Sequence, residues 1–123
     1  MNKSTINLKI DFNDVESIHR FIKIYNGLGL PKSMKLANKE LIYYANVVYI
    51  WNKKRMLTNN ELLNELPEIP GISKSNRGIY LYRNKMIKKN WLIETTSGYD
   101  IPGILKNTNN GIELSLIFGN ETL

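Results

Sequence analysis

Six cations, Lys74, Arg77, Arg83, Lys85, Lys88 and Lys89, fall within residues 71–93, with no acidic residue among them. At that density, lysine and arginine are suited to binding polyanions: they neutralise phosphates and release counterions. The rest of the chain mixes signs. Residues 1–37 carry six basic against three acidic groups, residues 38–70 carry four of each, and residues 94–123 carry Lys106 against Glu94, Asp100, Glu113 and Glu121. The formal net charge of +6 is therefore concentrated in one segment. A focused field of this kind attracts polyanions more strongly than the same charge spread evenly.

Other chemistry finds little support in the residue types. The single histidine, His19, stands next to Arg20 in a predicted helix, which suits a solvated position. Asp11, Asp14 and Glu16 form an acidic cluster, but they straddle a strand–helix junction, where acids favour a helix N-terminus. No His/Asp/Glu set has metal-ligand spacing, and Gly27-x-Gly29 lacks the third glycine and flanking strand of a phosphate loop. Cysteine is absent, which removes disulfides, thiolate metal sites and cysteine nucleophiles and fits a reducing cytoplasm. The expectation is a protein that is not an enzyme and needs no cofactor or metal.

The elements that must position the cations follow from periodicity. Ile6, Leu8, Ile10 and Phe12 alternate with polar residues, predicting a strand. Asn13 is placed to cap a helix with Val15, Ile18, Phe21, Ile22 and Tyr25 at helical spacing, ended by Gly27, Gly29 and Pro31. A second helix is predicted from Asn38 to Lys54. Its middle, residues 41–51, is apolar on nearly every side, as expected of a helix buried among other elements. Thr58 and Glu61 fit a capping box opening a short helix with Leu62, Leu63 and Leu66, stopped by Pro67 and Pro70. Ser73 is placed to cap a basic helix from Lys74 to Lys89, with Ile79, Tyr82 and Met86 on one face and Asn90 in the left-handed position at its end. The tail predicts a hairpin. Its first strand is Trp91 to Thr96, its second carries Ile112, Leu114, Leu116 and Phe118, and Asn110-Gly111 supplies the final turn signal.

With 123 residues and 42% hydrophobic content, the chain has the size and composition of one folded domain. Residues 1–12 lack the apolar core of a signal peptide, and the stretch Leu41 to Trp51 is shorter than the about 20 residues a bilayer span takes. The expected setting is the cytoplasm, with no membrane partner.

The order of short capped helix, turn, basic helix and hairpin, with Ile72-Ser73-Lys74-Ser75 opening the basic helix and Lys85-Met86-Ile87-Lys88-Lys89-Asn90-Trp91-Leu92 closing it, resembles the winged helix-turn-helix family. The likeness is to MarR-like regulators and to phage replication or transcription proteins. In their closing pattern Met86 takes a leucine position and Asn90 a glycine position. The resemblance covers residues 38–118, leaving 1–37 as a strand–helix extension and 119–123 as a tail. It implies an α+β fold, a three-helix core plus a β-hairpin wing. It also implies that the basic helix lies in the major groove of double-stranded DNA while the wing reaches toward the backbone or minor groove.

With Ile79, Tyr82 and Met86 inward, Lys74, Ser75, Arg77, Tyr80, Leu81 and Asn84 face outward. Arg77 and Asn84 suit guanine and adenine edges, with Tyr80 alongside, and Lys74, Arg83, Lys85, Lys88 and Lys89 suit phosphates. Lys53-Lys54-Arg55 either complements a helix C-terminus or adds backbone contacts. The implied protein is a phage- or mobile-element-type regulator or replication accessory. It would act as a homodimer, the N-terminal strand and helix forming the dimer surface or the strand pairing with residues 112–118 of its own chain. The rival reading is a phage virion or neck assembly protein that docks a protein partner through the same helix. The acidic wing, at −3, and outward-facing Leu81 with Tyr80 favour that rival.

Overall fold

The computed structural model describes residues 3–28, 30–72, 75–107 and 113–119. In chain order these form β1 (Lys3–Lys9), α1 (Val15–Gly27), α2 (Asn38–Lys54), α3 (Asn59–Asn64), α4 (Asn76–Lys88), β2 (Ile93–Thr95), β3 (Gly98–Asp100) and β4 (Glu113–Gly119), with 3-10 turns at Lys32–Met34 and Gly103–Leu105. The fold is α+β, and its helices and antiparallel hairpin are compatible with a winged-helix layout.

α2 is the axis of the core and has the limits its sequence predicts. Leu41, Tyr43, Tyr44, Ala45, Val47, Val48 and Ile50 are all buried, which fits a helix apolar around most of its circumference. α1 packs along it through Ile18, Phe21 and Ile22. Leu62 and Leu66 come in from α3 and the residues after it, and Ile79 and Met86 from α4. The α1 face that carries Ile18, Phe21 and Ile22 is thus buried within its own chain.

The helix ends follow local chemistry. α1 is capped by Asp14, whose carboxylate accepts from the Glu16 amide at 3.2 Å, and not by Asn13, whose own amide donates to Asp11 at 2.9 Å. At α3, Glu61 accepts from the Thr58 amide at 2.9 Å, and the Thr58 hydroxyl accepts from the Asn60 amide at 3.2 Å. α4 begins two residues later than expected: Ser75 is its cap and accepts from the Gly78 amide at 3.2 Å, while Ser73 and Lys74 lie outside the described residues. At its far end Asn90 has φ +67°, the Trp91 amide bonds the Met86 carbonyl at 2.9 Å and the Asn90 amide bonds the Ile87 carbonyl at 3.1 Å. This pair of bonds is a Schellman motif, with Asn90 in the usual glycine position.

That motif turns Trp91 inward. It is buried, its indole N–H donates to the Met34 carbonyl at 2.7 Å, and its ring meets Tyr44 and Tyr25 edge-on with centroids 5.1 and 5.7 Å apart. The Tyr44 hydroxyl donates to the Trp91 carbonyl at 2.6 Å. Burial raises the Tyr44 pKa well above its ordinary value, so the hydroxyl stays protonated and remains a donor.

Strand pairing differs from expectation. The strand after α4 does not pair with the described part of the expected second strand, residues 113–118. Ile93–Thr95 turns back at once through Thr96 and Ser97 onto Gly98–Asp100, with Thr95 opposite Gly98. β4 instead pairs antiparallel with β1, Lys3 opposite Gly119 and Lys9 opposite Glu113, which is the intrachain pairing considered above. The two pairs form separate two-stranded sheets, so β1 does not extend the wing. Gly98 accounts for the tight hairpin. Its φ of +150° is open to glycine, and a Cβ there would run into the Leu57 carbonyl oxygen, which accepts the Tyr99 amide at 2.8 Å. Asn110-Gly111 lies outside the described residues.

Candidate nucleic-acid interface

α4 has a core side, an outward face and two flanks. Ile79 and Met86 mark the core side. Arg77, Leu81, Asn84 and Lys88, spaced i, i+4, i+7 and i+11, are all exposed and form a stripe about 16 Å long at 1.5 Å per residue. The helix contains no acid. Arg77 and Asn84 therefore lie on the outward face, as the periodicity requires.

One flank joins α4 to α3 and the hairpin. Arg83 stacks its guanidinium 4.3 Å from the Tyr80 ring centroid and 5.8 Å from that of Tyr99, and donates to Asn59 at 2.8 Å and twice to Asn84, at 3.1 and 2.9 Å. The Tyr99 hydroxyl donates to the same Asn59 oxygen at 2.9 Å. Arg83 is thus a strut between three elements, and Tyr80 is half-buried against it. Beyond it the hairpin is poor in charge. Residues 90–105 contain no cation, and Asp100 is paired with Lys106 at 2.9 Å. Glu113 lies in β4 and Glu121 lies outside the described residues, so the acidity expected of the wing reduces to Glu94 and a neutralised Asp100.

The other flank joins α4 to the start of α2. Lys89 makes a 2.7 Å ion pair with Glu40 and donates to the Lys35 carbonyl at 2.9 Å. Glu40 also accepts from the Ala37 amide at 2.7 Å. Burial works to raise the Glu40 pKa, but the Lys89 bond, the Ala37 amide and the nearby charges of Lys89 and Lys85 outweigh it and hold the pKa below its ordinary value. Lys89 therefore ties the two helices together. Next to this tie opens a cavity of about 690 Å³ lined by Lys32, Ser33, Lys39, Tyr82, Lys85 and Lys88, with Asn38 at the helix start. Lys85 stands over the Tyr82 ring, 4.9 Å from its centroid. Among the described residues no carboxylate pairs directly with Lys32, Lys39, Lys85 or Lys88.

Of the residues expected to contact nucleic acid, Arg77, Asn84, Lys85 and Lys88 are exposed on or beside the outward face. Tyr80 and Arg83 brace the hairpin flank, Ser75 caps the helix, Lys89 ties α4 to α2, and Lys74 lies outside the described residues. Sequence reasoning missed Lys32 and Lys39. They lie seven residues apart across a helix start, and counting charge by segments split them between two windows. At the other end of α2, Lys54 pairs with Glu65 at 2.7 Å, Arg55 donates to the Asn107 carbonyl at 2.9 Å, and Lys53 lies over the Tyr49 ring. The 53–55 run is thus engaged within the chain.

Among the described residues no group of three or more His, Cys, Asp or Glu side chains could hold a metal, and no helix is long and apolar enough to cross a membrane. The chain matches no protein-family model, no curated protein and no solved structure.

Proposed function

We propose that the chain is a winged-helix protein that binds duplex DNA through the outward face of α4. The observation that carries this reading is the exposed, acid-free stripe of Arg77, Leu81, Asn84 and Lys88 on a helix braced from both sides. A helix of 13 residues projecting this face can enter a major groove about 12 Å wide. Arg77 reads guanine and Lys88 contacts phosphate, while Asn84, whose side-chain oxygen accepts from Arg83, has its amide N–H groups left to donate to a base acceptor. A homodimer doubles the half-site and hence the specificity. On this reading the protein is a regulator or replication accessory of phage or mobile-element type.

The test is fluorescence anisotropy with random duplex DNA at roughly 50 and 200 mM salt, comparing wild type with Arg77→Ala/Lys88→Ala. Binding that falls by orders of magnitude with salt and weakens in the variant supports the reading, and no binding at low salt overturns it. Arg83 is left intact because its removal would loosen the hairpin and confuse the result.

A second reading, a protein-docking module of a virion or assembly complex, is favoured by Leu81, which is 53% exposed at the centre of the stripe. It predicts a complex with a protein partner that survives high salt and is lost in Leu81→Asp.

A further inference from the structure

Arg83 and Lys85 are two positions apart, about 200° around a helix of 3.6 residues per turn, so the two flanks of α4 face opposite ways. A helix lying in a major groove has a phosphate backbone running along each flank. Among the described residues the hairpin flank offers those phosphates no unpaired cation: Arg83 is committed to Asn59, Asn84 and two tyrosine rings, and residues 90–105 contain no Lys or Arg. The opposite flank offers four. Lys85 and Lys88 come from α4, Lys32 from the 3-10 turn and Lys39 from the first turn of α2, and they converge on one open cavity of about 690 Å³. The Glu40–Lys89 pair sits in its wall, satisfying the one carboxylate there and tying α4 to α2.

We infer that the phosphodiester backbone beside α4 seats in this lysine cavity, so that the Lys32 turn and the start of α2, rather than the hairpin, provide the flanking contact. This rests on the reading of α4 as the major-groove helix. Glu40 is the one carboxylate among the lysines of this wall. Without that carboxylate, Lys89 would lose its tie to α2 and would face Lys85, one turn away on α4, uncompensated. Lys32 and Lys39 are phosphate contacts, and Lys89 and Glu40 are positioning residues.

The experiment measures binding of a random duplex of about 20 base pairs, roughly two helical turns, across salt concentrations from roughly 50 to 200 mM. Three proteins are compared: wild type, Lys32→Ala/Lys39→Ala, and the charge-matched control Lys53→Ala/Lys54→Ala. Each phosphate contact contributes about 0.9 to the slope of log K against log salt. The cavity variant should therefore show a slope shallower by about 1.8, and the control the wild-type slope. Thermal melts check that both variants remain folded, which the exposure of all four lysines leads one to expect. If the wild type binds and the cavity variant keeps its slope, or if the control falls equally, the cavity assignment is overturned while the α4 reading stands. If the wild type does not bind at the lowest salt, both fail.

Discussion

The two flanks of α4 both carry cations, an arginine on one and lysines on the other, and use them differently. On the hairpin flank Arg83 is held by side-chain acceptors and aromatic faces, and its charge goes into fixing α3 and β3 against α4. On the opposite flank one lysine, Lys89, is matched by a buried carboxylate, and Lys32, Lys39, Lys85 and Lys88 line a cavity without a direct acidic partner among the described residues. A count of basic residues treats these alike. Only the cations whose donors and fields are not satisfied internally remain available to a polyanion, and satisfaction depends on neighbours distant in sequence.

The largest expected effect removes the anchor at the end of α4. Trp91→Ala takes away a buried ring, two edge-on aromatic contacts and the bond to the Met34 carbonyl, and should cost about 3–5 kcal/mol in chemical denaturation. A loss under about 1 kcal/mol would mean that Trp91 does not hold the end of α4.

Gly98→Ala tests the hairpin alone. The left-handed φ and the clash with the Leu57 carbonyl should cost about 2 kcal/mol or more, while the salt slope of DNA binding in the folded protein stays at the wild-type value. A changed slope would show that the hairpin takes part in the contact after all.

The pair Arg83→Ala and Lys85→Ala sharpens the comparison most directly. Arg83→Ala should lower stability by about 1–2 kcal/mol, through lost hydrogen bonds and cation–π contacts, with little change of slope. Lys85→Ala should change stability by less than about 0.5 kcal/mol and make the slope shallower by about 0.9. Reversed roles would break the distinction between a strut and a contact.

The smallest effect concerns pH. The Glu40 pKa in the folded chain lies below the ordinary value of 4.5, despite burial, because Lys89, the Ala37 amide and Lys85 favour its charged form. Its contribution to stability is therefore present above the ordinary value and lost as pH falls through the lower, folded one. Glu61 behaves likewise at α3, where the bond from the Thr58 hydroxyl chiefly lowers its pKa. Melting temperature should fall with acidification in the wild type, and less steeply in Glu40→Gln. Parallel profiles would show that Glu40 is not tied to Lys89 in solution.

Much of the fold is legible in sequence because its signals are local. The limits of α2 follow from continuous apolarity, the start of α3 from a threonine and a glutamate three apart, and the end of α4 from an asparagine able to adopt positive φ. Where two candidates compete for one cap, as at Asn13 and Asp14 or Ser73 and Ser75, propensity does not separate them, and the start shifts by one or two residues. The candidate site was legible in part. The outward positions of Arg77 and Asn84 follow from the helical period, whereas the internal ties of Arg83 and Lys89 and the recruitment of Lys32 and Lys39 do not.

By itself, then, the sequence determined the helices, their apolar faces and a cationic α4 without acids, because each depends on residues within a few positions of one another. Tertiary structure decided which strand pairs with which. Alternation marks Ile112 to Phe118 as a strand but does not name its partner, and the tight hairpin at Gly98 left β4 to pair with β1. Tertiary structure also decided which cations are engaged and which are exposed. The charge of a lysine is a property of the residue, but its availability depends on whether folding brings a carboxylate such as Glu40 to it.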